Sequence, residues 1–116
     1  MGIPSGYGSE VLKRVSYHAN SNAWRTLITG EADHIYTVIS LVAAEQNSAA
    51  LAYHIRVDIS AAGSNHIMLT NAGWLPLGGV FVFNDKIVLT GTDKLEVWNN
   101  SGDVDWYVSY IEQDWE

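Results

Sequence analysis

Alternation with a period of two residues runs through most of this chain, and no other feature narrows its possible folds as far. Tyr53, Ile55, Val57 and Ile59 fall on one side of an extended segment, and His54, Arg56, Asp58 and Ser60 fall on the other. That is the pattern of a strand with one buried and one wetted face. Val104, Trp106, Val108 and Tyr110 alternate with Asp105, Tyr107, Ser109 and Ile111 in the same way, and Leu95 and Val97 sit between Lys94, Glu96 and Trp98. The intervening Asn99-Asn100-Ser101-Gly102-Asp103 is rich in residues that tolerate positive φ, so these two strands are expected to form a hairpin.

The earlier segments follow the same plan. Val11 to Tyr17 and Trp24 to Thr29 are short β-rich runs divided by Ala19-Asn20-Ser21-Asn22, which predicts a hairpin or corner. Ile35 to Val42 is apolar on both alternating sets, as suits a central strand covered on both faces. Phe81 to Phe83 and Ile87 to Leu89 flank the turn signal Asn84-Asp85-Lys86, with Gly78-Gly79 and Gly91 on either side. Leu41 to Leu51 contains good helix formers and could make two or three helical turns. Because β patterning brackets it, the reading is strand, a turn at Gln46-Asn47-Ser48, then strand. About eight short strands at near-regular spacing predict an all-β fold: a single antiparallel β-sandwich, jelly-roll-like. At 116 residues the chain has room for one such domain, taken as residues 10–116. Residues 1–9, with Gly2, Gly6, Gly8 and Pro4, read as an extended, flexible N-terminal arm.

Composition removes several functional classes. Thirteen acids against six bases give a formal charge of −7, the wrong sign for gripping phosphates, so direct nucleic-acid binding is not expected. Without cysteine there is no disulfide framework and no thiolate nucleophile or ligand. The longest apolar run, Val38 to Ala44, is too short to span a bilayer, and no membrane partner is expected. Met1 to Glu10 lacks the basic start and apolar core of a secretory signal, and Gly6 stands where myristoylation uses Ser or Thr.

The catalytic search yields no site. The chain lacks G-x-S-x-G, H-E-x-x-H and P-loop patterns, and Gly6-Tyr7-Gly8 lacks the third glycine of a dinucleotide loop. No catalytic residue, cofactor or metal ligand is assigned. His54 and Asp58 share a strand face with Arg56 between them and read as a solvated face. Asp103 and Asp105 resemble part of a cation loop, but a plain turn explains them. His18, His34 and His66 read as surface histidines. Of the five Trp, Trp24 and Trp106 are expected in the core. Trp98 lies on the polar parity of its strand and Trp115 in the acidic tail, so those two are interface candidates. Eight acids and two bases fall between Asp85 and Glu116, an acidic end that could dock on a basic partner.

In its second half the chain resembles a family. Lys86-Ile87-Val88-Leu89, Gly91-Thr92-Asp93-Lys94-Leu95-Glu96-Val97, Gly102-Asp103-Val104-Asp105 and Ser109-Tyr110-Ile111-Glu112 resemble the closing strands of small β-sandwich virion proteins of tailed bacteriophages. Ile35-Tyr36-Thr37-Val38 is similar to the phrase that opens their first half. Thr92 intervenes in the family's Gly-Asp pair, and Ile39-Ser40-Leu41 replaces its Pro-Ala-Gly. The resemblance implies a non-enzymatic virion protein: a capsid decoration (cement) protein bound to the major capsid protein, or a neck, tail or fibre component. A carbohydrate-binding module using exposed Trp is the competing class, and a small hydrolase a third. Edge strands and surplus aromatics point to a homo-oligomer, trimer first and dimer second. Ile3 and Tyr7 are the expected anchors of the arm on a neighbour.

Overall fold

Each alternating run becomes a strand because alternation lets one side of an extended segment leave water while the other stays wet. The computed structural model describes residues 10–19, 23–45, 51–59, 66–76, 79–100 and 103–114. Among these the strands are β1 (Glu10–Ala19), β2 (Ala23–Thr29), β3 (His34–Glu45), β4 (Leu51–Asp58), β5 (His66–Leu75), β6 (Val80–Phe83), β7 (Ile87–Thr90), β8 (Lys94–Asn99) and β9 (Val104–Asp114). Sheet I runs β1-β9-β3, with β6 and β7 both on the far side of β3, and sheet II runs β2-β8-β4-β5. β7 pairs with Ile35 to Val38 and β6 with Leu41 to Ala44, so the two short strands share one strand position. The result is a two-sheet antiparallel sandwich with eight strand positions.

The pairing is that of a jelly roll. First strand pairs with last, second with next to last, β3 with β6 and β7, and β4 with β5. The chain is one long double ribbon rolled into two layers. One expectation is corrected by this topology. β8 and β9 do not form a hairpin, because β8 belongs to sheet II and β9 to sheet I. β1 and β2 are likewise divided between the sheets, so of the hairpin or corner expected there the corner is found. Local turn chemistry looks the same in both cases; what decides is pairing elsewhere, β9 along its length with β1 and β3, and β8 with β2 and β4.

The core lies between the sheets. Val104, Trp106, Val108 and Tyr110 of β9 meet Tyr53, Ile55 and Val57 of β4 and Leu95 and Val97 of β8 there. Tyr53 packs its ring edge-on to Trp106 at 6.3 Å and 5.0 Å from Phe81. Trp106 donates its indole N–H to Asn99 Oδ1 at 3.4 Å, and Asn99 is fully buried. Asn100 Oδ1 accepts from the Ala52 amide at 3.1 Å, tying the corner after β8 to β4.

Bulges reset the alternation. In β3 the buried set passes from Tyr36 and Val38 to Leu41 and Ala43, because the pairing with β9 shifts between Val38 and Ser40 and leaves Ile39 facing outward. The apolar residues on both parities of β3 thus reflect a bulge, and β3 is central in its sheet without being covered on both faces. In β2 the register shifts between Thr26 and Ile28, and Leu27 and Ile28 are both buried. At the opposite corner Gly30 donates its amide to Asp93 O at 2.9 Å, and Asp93 Oδ2 accepts from the Thr90 amide at 3.1 Å. Gly91 adopts a φ of 61° in that turn, the left-handed region glycine enters without a Cβ penalty.

Strand patterning also settles part of 41–51. β3 continues to Glu45 and β4 begins at Leu51, in agreement with the strand reading, while the expected turn at Gln46-Asn47-Ser48 lies outside the described residues. So does the arm, 1–9.

Candidate interaction faces

A sandwich of two sheets has two outer faces, and here they differ in chemistry. On sheet II the register aligns Trp24, Trp98 and His54 across β2, β8 and β4. Their rings touch: His54 lies 4.8 Å from Trp98 and 6.0 Å from Trp24, centroid to centroid. One step along β4, Ala52 pairs with Trp74 of β5, which is 65% exposed. Aromatic side chains thus reach across all four strands of this face.

The next row is Thr26, Glu96 and Arg56. Arg56 Nε donates to Glu96 Oε1 at 2.7 Å, and Thr26 Oγ1 donates to Glu96 Oε2 at 3.5 Å. The Arg56 guanidinium also lies over the Trp24 ring at 3.6 Å, a cation–π stack that fixes both groups. The expected solvated face of His54, Arg56 and Asp58 is therefore half-buried, with His54 and Arg56 packed against aromatic rings. Trp24 is corrected with it: the β2 bulge places it outward beside Trp98, whereas Trp106 sits in the core as expected.

Sheet I presents an apolar outer face. One row runs Leu12, Ile111, Thr37 and Val88 across β1, β9, β3 and β7. Another runs Ser16, Tyr107, Val42 and Val82, and the next ends in Ala44 and Val80. Leu12 is 71% exposed, Val80 60% and Val88 56%. Single exposed hydrophobes are ordinary, but a run of them on one flat face is not. A cleft of about 450 Å³ bounded by Leu12, Lys13, Arg14, Ile39, Tyr107 and Ser109 opens on this face.

Two histidine clusters mark opposite ends of sheet I. His18 Nδ1 hydrogen-bonds Asp105 Oδ1, and Asp103 lies 3.9 Å from Nε2. The bond to Asp105, reinforced by both carboxylate charges, raises the His18 pKa against the opposing effect of desolvation. His34 Nδ1 bonds the Ala32 carbonyl at 2.8 Å, while Nε2 faces Glu112 at 3.4 Å, Asp114 at 3.8 Å and Glu31 at 4.0 Å. The carbonyl bond and then the three charges raise the His34 pKa. Glu112 is shared with Lys13, whose Nζ is 2.6 Å away. Among the described residues no group of three or more His, Cys, Asp or Glu is placed to hold a metal ion.

Of the predicted interface residues, the described one is Trp98, which stands in the middle of the aromatic row. Ile3, Tyr7 and Trp115 lie outside the described residues. Sequence reasoning missed Trp24 and Trp74 as its neighbours, and missed the sheet I face altogether. The second was legible in part: Val80, Val82 and Val88 stand on the parity opposite the buried Ile87 and Leu89. Trp24 was not, since only the bulge sets its side.

No family model matches the sequence, and no curated protein is similar to it. Solved structures do match. The structure of infectious bursal disease virus Gx strain gives a TM-score of 0.57 over 91% of this chain and 33% of the viral one, at 11% identity. The T13 particle of the same virus gives 0.55 over 92% and 36%, at 10% identity. Bacillus endospore appendages, described as disulfide-linked pili, give 0.50 over 92% and 89%, at 7% identity. This chain thus spans about a third of the viral chains it matches. At such identities the likeness is one of fold: a sandwich also found in virus particles.

Proposed function

We propose that this chain is a non-enzymatic structural protein of a virus particle, and more narrowly a decoration protein that binds and stabilises a bacteriophage head. The fold shared with virus-particle chains and the sequence resemblance to tailed-phage virion proteins support this reading. The observation that carries it is the aromatic row across sheet II, in which Trp24, Trp98 and His54 pack side by side on a rigid sheet. Rigid, half-buried aromatics with little rotamer entropy left to lose are what anchor one protein on another. Docking on the major capsid protein runs through this row, with Ile3 and Tyr7 of the arm and Trp115 of the tail adding contacts from outside the sandwich. The acidic end steers the encounter and is screened by salt.

Purified particles incubated with the chain and examined by electron microscopy test the reading. Regular added density on the capsid surface, lost with Trp98→Ala, is the expected result; density at the neck or tail would move the role to those parts of the virion. Absence of binding anywhere on the particle overturns the proposal. The competing reading is a carbohydrate platform on the same row. Arg56 weakens it by covering the Trp24 ring face on which a sugar would stack. Glycan-array binding abolished by Trp98→Ala would restore it.

A further inference from the structure

Sheet I and sheet II solve the same problem differently. Sheet II covers the Trp24 ring of its outer face with a paired charge, Arg56 held by Glu96. The centre of sheet I's outer face carries no such pair. Its carboxylates lie at the two ends, Glu10 bonded to Gln113 at one and Asp105 to His18 at the other, while Arg14 of the edge strand reaches Tyr107 and opens a short polar row with Ser109 and Ser40 between the apolar rows. Apolar rows with neutral polar groups between them and the acids held at the ends suit a protein interface.

Area and charge identify the occupant. The exposed parts of Leu12, Ile39, Val80, Val82, Val88 and Tyr107 amount to on the order of 600 Å², the top of the range for an ordinary monomer's largest patch and close to the roughly 800 Å² each partner gives a stable interface. A chain of net charge −7 repels its own copies, so copies can meet only where acids are few and already paired. The sheet I face meets that condition, with Glu10 held by Gln113 and Asp105 by His18. It also offers what a two-fold contact requires, a protruding side chain, Leu12, beside a cleft it helps to bound.

We infer that the outer face of sheet I is a homotypic interface on which a second copy of this chain packs face to face. The resulting dimer has sheet II outermost on both sides, so each dimer carries two aromatic rows facing away from each other. This inference concerns the chain alone and stands whether or not the virion reading does.

Sedimentation equilibrium of the full chain tests it. A dimer is expected, and Val82→Lys combined with Val88→Lys should weaken it at least tenfold. The lysines lower the net negative charge, so general repulsion cannot explain the loss. Val82→Thr with Val88→Thr, which keeps shape and strand preference, should weaken it in the same direction and guards against misfolding, checked by circular dichroism. Trp98→Ala should leave association unchanged. Because the chain has no native cysteine, a single Val82→Cys variant reports coverage directly: its maleimide reaction should slow as protein concentration rises. A monomer at every concentration up to about 100 µM, where even weak contacts form, overturns the inference. So does a dimer indifferent to the lysine pair. A full chain that is monomeric but dimerises once residues 1–9 are removed also overturns it, by showing that the arm covers the face.

Discussion

Replacing Trp106 with phenylalanine removes one ring of a side chain that is 1% exposed and takes the donor from a buried asparagine. The two losses can be estimated separately. Phenylalanine is smaller by roughly 40 Å³, which at about 24 cal/mol per Å³ of residual cavity costs about 1 kcal/mol, with a similar amount for the lost transfer energy. Asn99 Oδ1 then loses the indole N–H in a site without exposure, worth about 1 kcal/mol more. The sum is roughly 3 kcal/mol, a large share of the 5 to 15 kcal/mol that holds a domain of this kind folded. The hydrogen-bond part can be isolated by a cycle with Asn99→Ala. Asn99 also donates from Nδ2 to the Asn100 carbonyl at 3.1 Å, but that loss enters both arms and cancels. At 3.4 Å the Trp106 bond is long, so the double variant should be less destabilised than the sum of the singles by only about 0.5 to 1 kcal/mol. Urea unfolding followed by far-UV circular dichroism, at one fixed protein concentration because association shifts apparent stability, gives all four values. A Trp106→Phe cost under about 1 kcal/mol would refute the packing argument, and strict additivity would refute the bond.

The corner that joins the two sheets separates two glycines. A Cβ on Gly30 would meet Gly91 O at 2.1 Å and Asp93 O at 2.6 Å, both backbone atoms, so Gly30→Ala should cost more than about 3 kcal/mol. Gly91→Ala meets nothing and should cost only about 1 kcal/mol for its positive φ; equal thermal midpoints for the two variants would contradict the geometry. Both His18 and His34 have folded pKa values raised above the ordinary value of about 6.5. Their contribution is complete below that value and is lost as pH rises through the folded pKa values, so urea midpoints should fall as pH is raised above about 6.5. His18→Gln with His34→Gln should flatten that slope, and an unchanged slope would sink the assignment. Arg56→Lys keeps the charge but not the planar group over Trp24 and should cost about 1 kcal/mol; no change in the unfolding midpoint would remove the stack from the list of stabilising contacts.

Period-two alternation determined by itself that this chain makes strands, that Tyr53, Ile55 and Val57 and the Val104 to Tyr110 set face inward, and that a double-layer β fold follows. These are local consequences of which side of an extended chain leaves water, and they need no knowledge of partners. The arrangement of strands was not local. Asn99 to Asp103 has the composition of a hairpin turn, yet β9 pairs with β1 and β3 and leaves β8 in the other sheet, because ten consecutive pairs with β1 outweigh one tight turn. Bulges had the same standing. The register shift in β2 that buries both Leu27 and Ile28 turns Trp24 outward beside Trp98 and His54, and the shift in β3 puts Ile39 on the sheet I face. A one-residue slip reverses every side chain beyond it, and what fixes the slip is the partner strand across the ladder. Both candidate faces are products of such cross-strand pairing, so their residues stood in the sequence as scattered apolar and aromatic positions until the tertiary structure set them in rows.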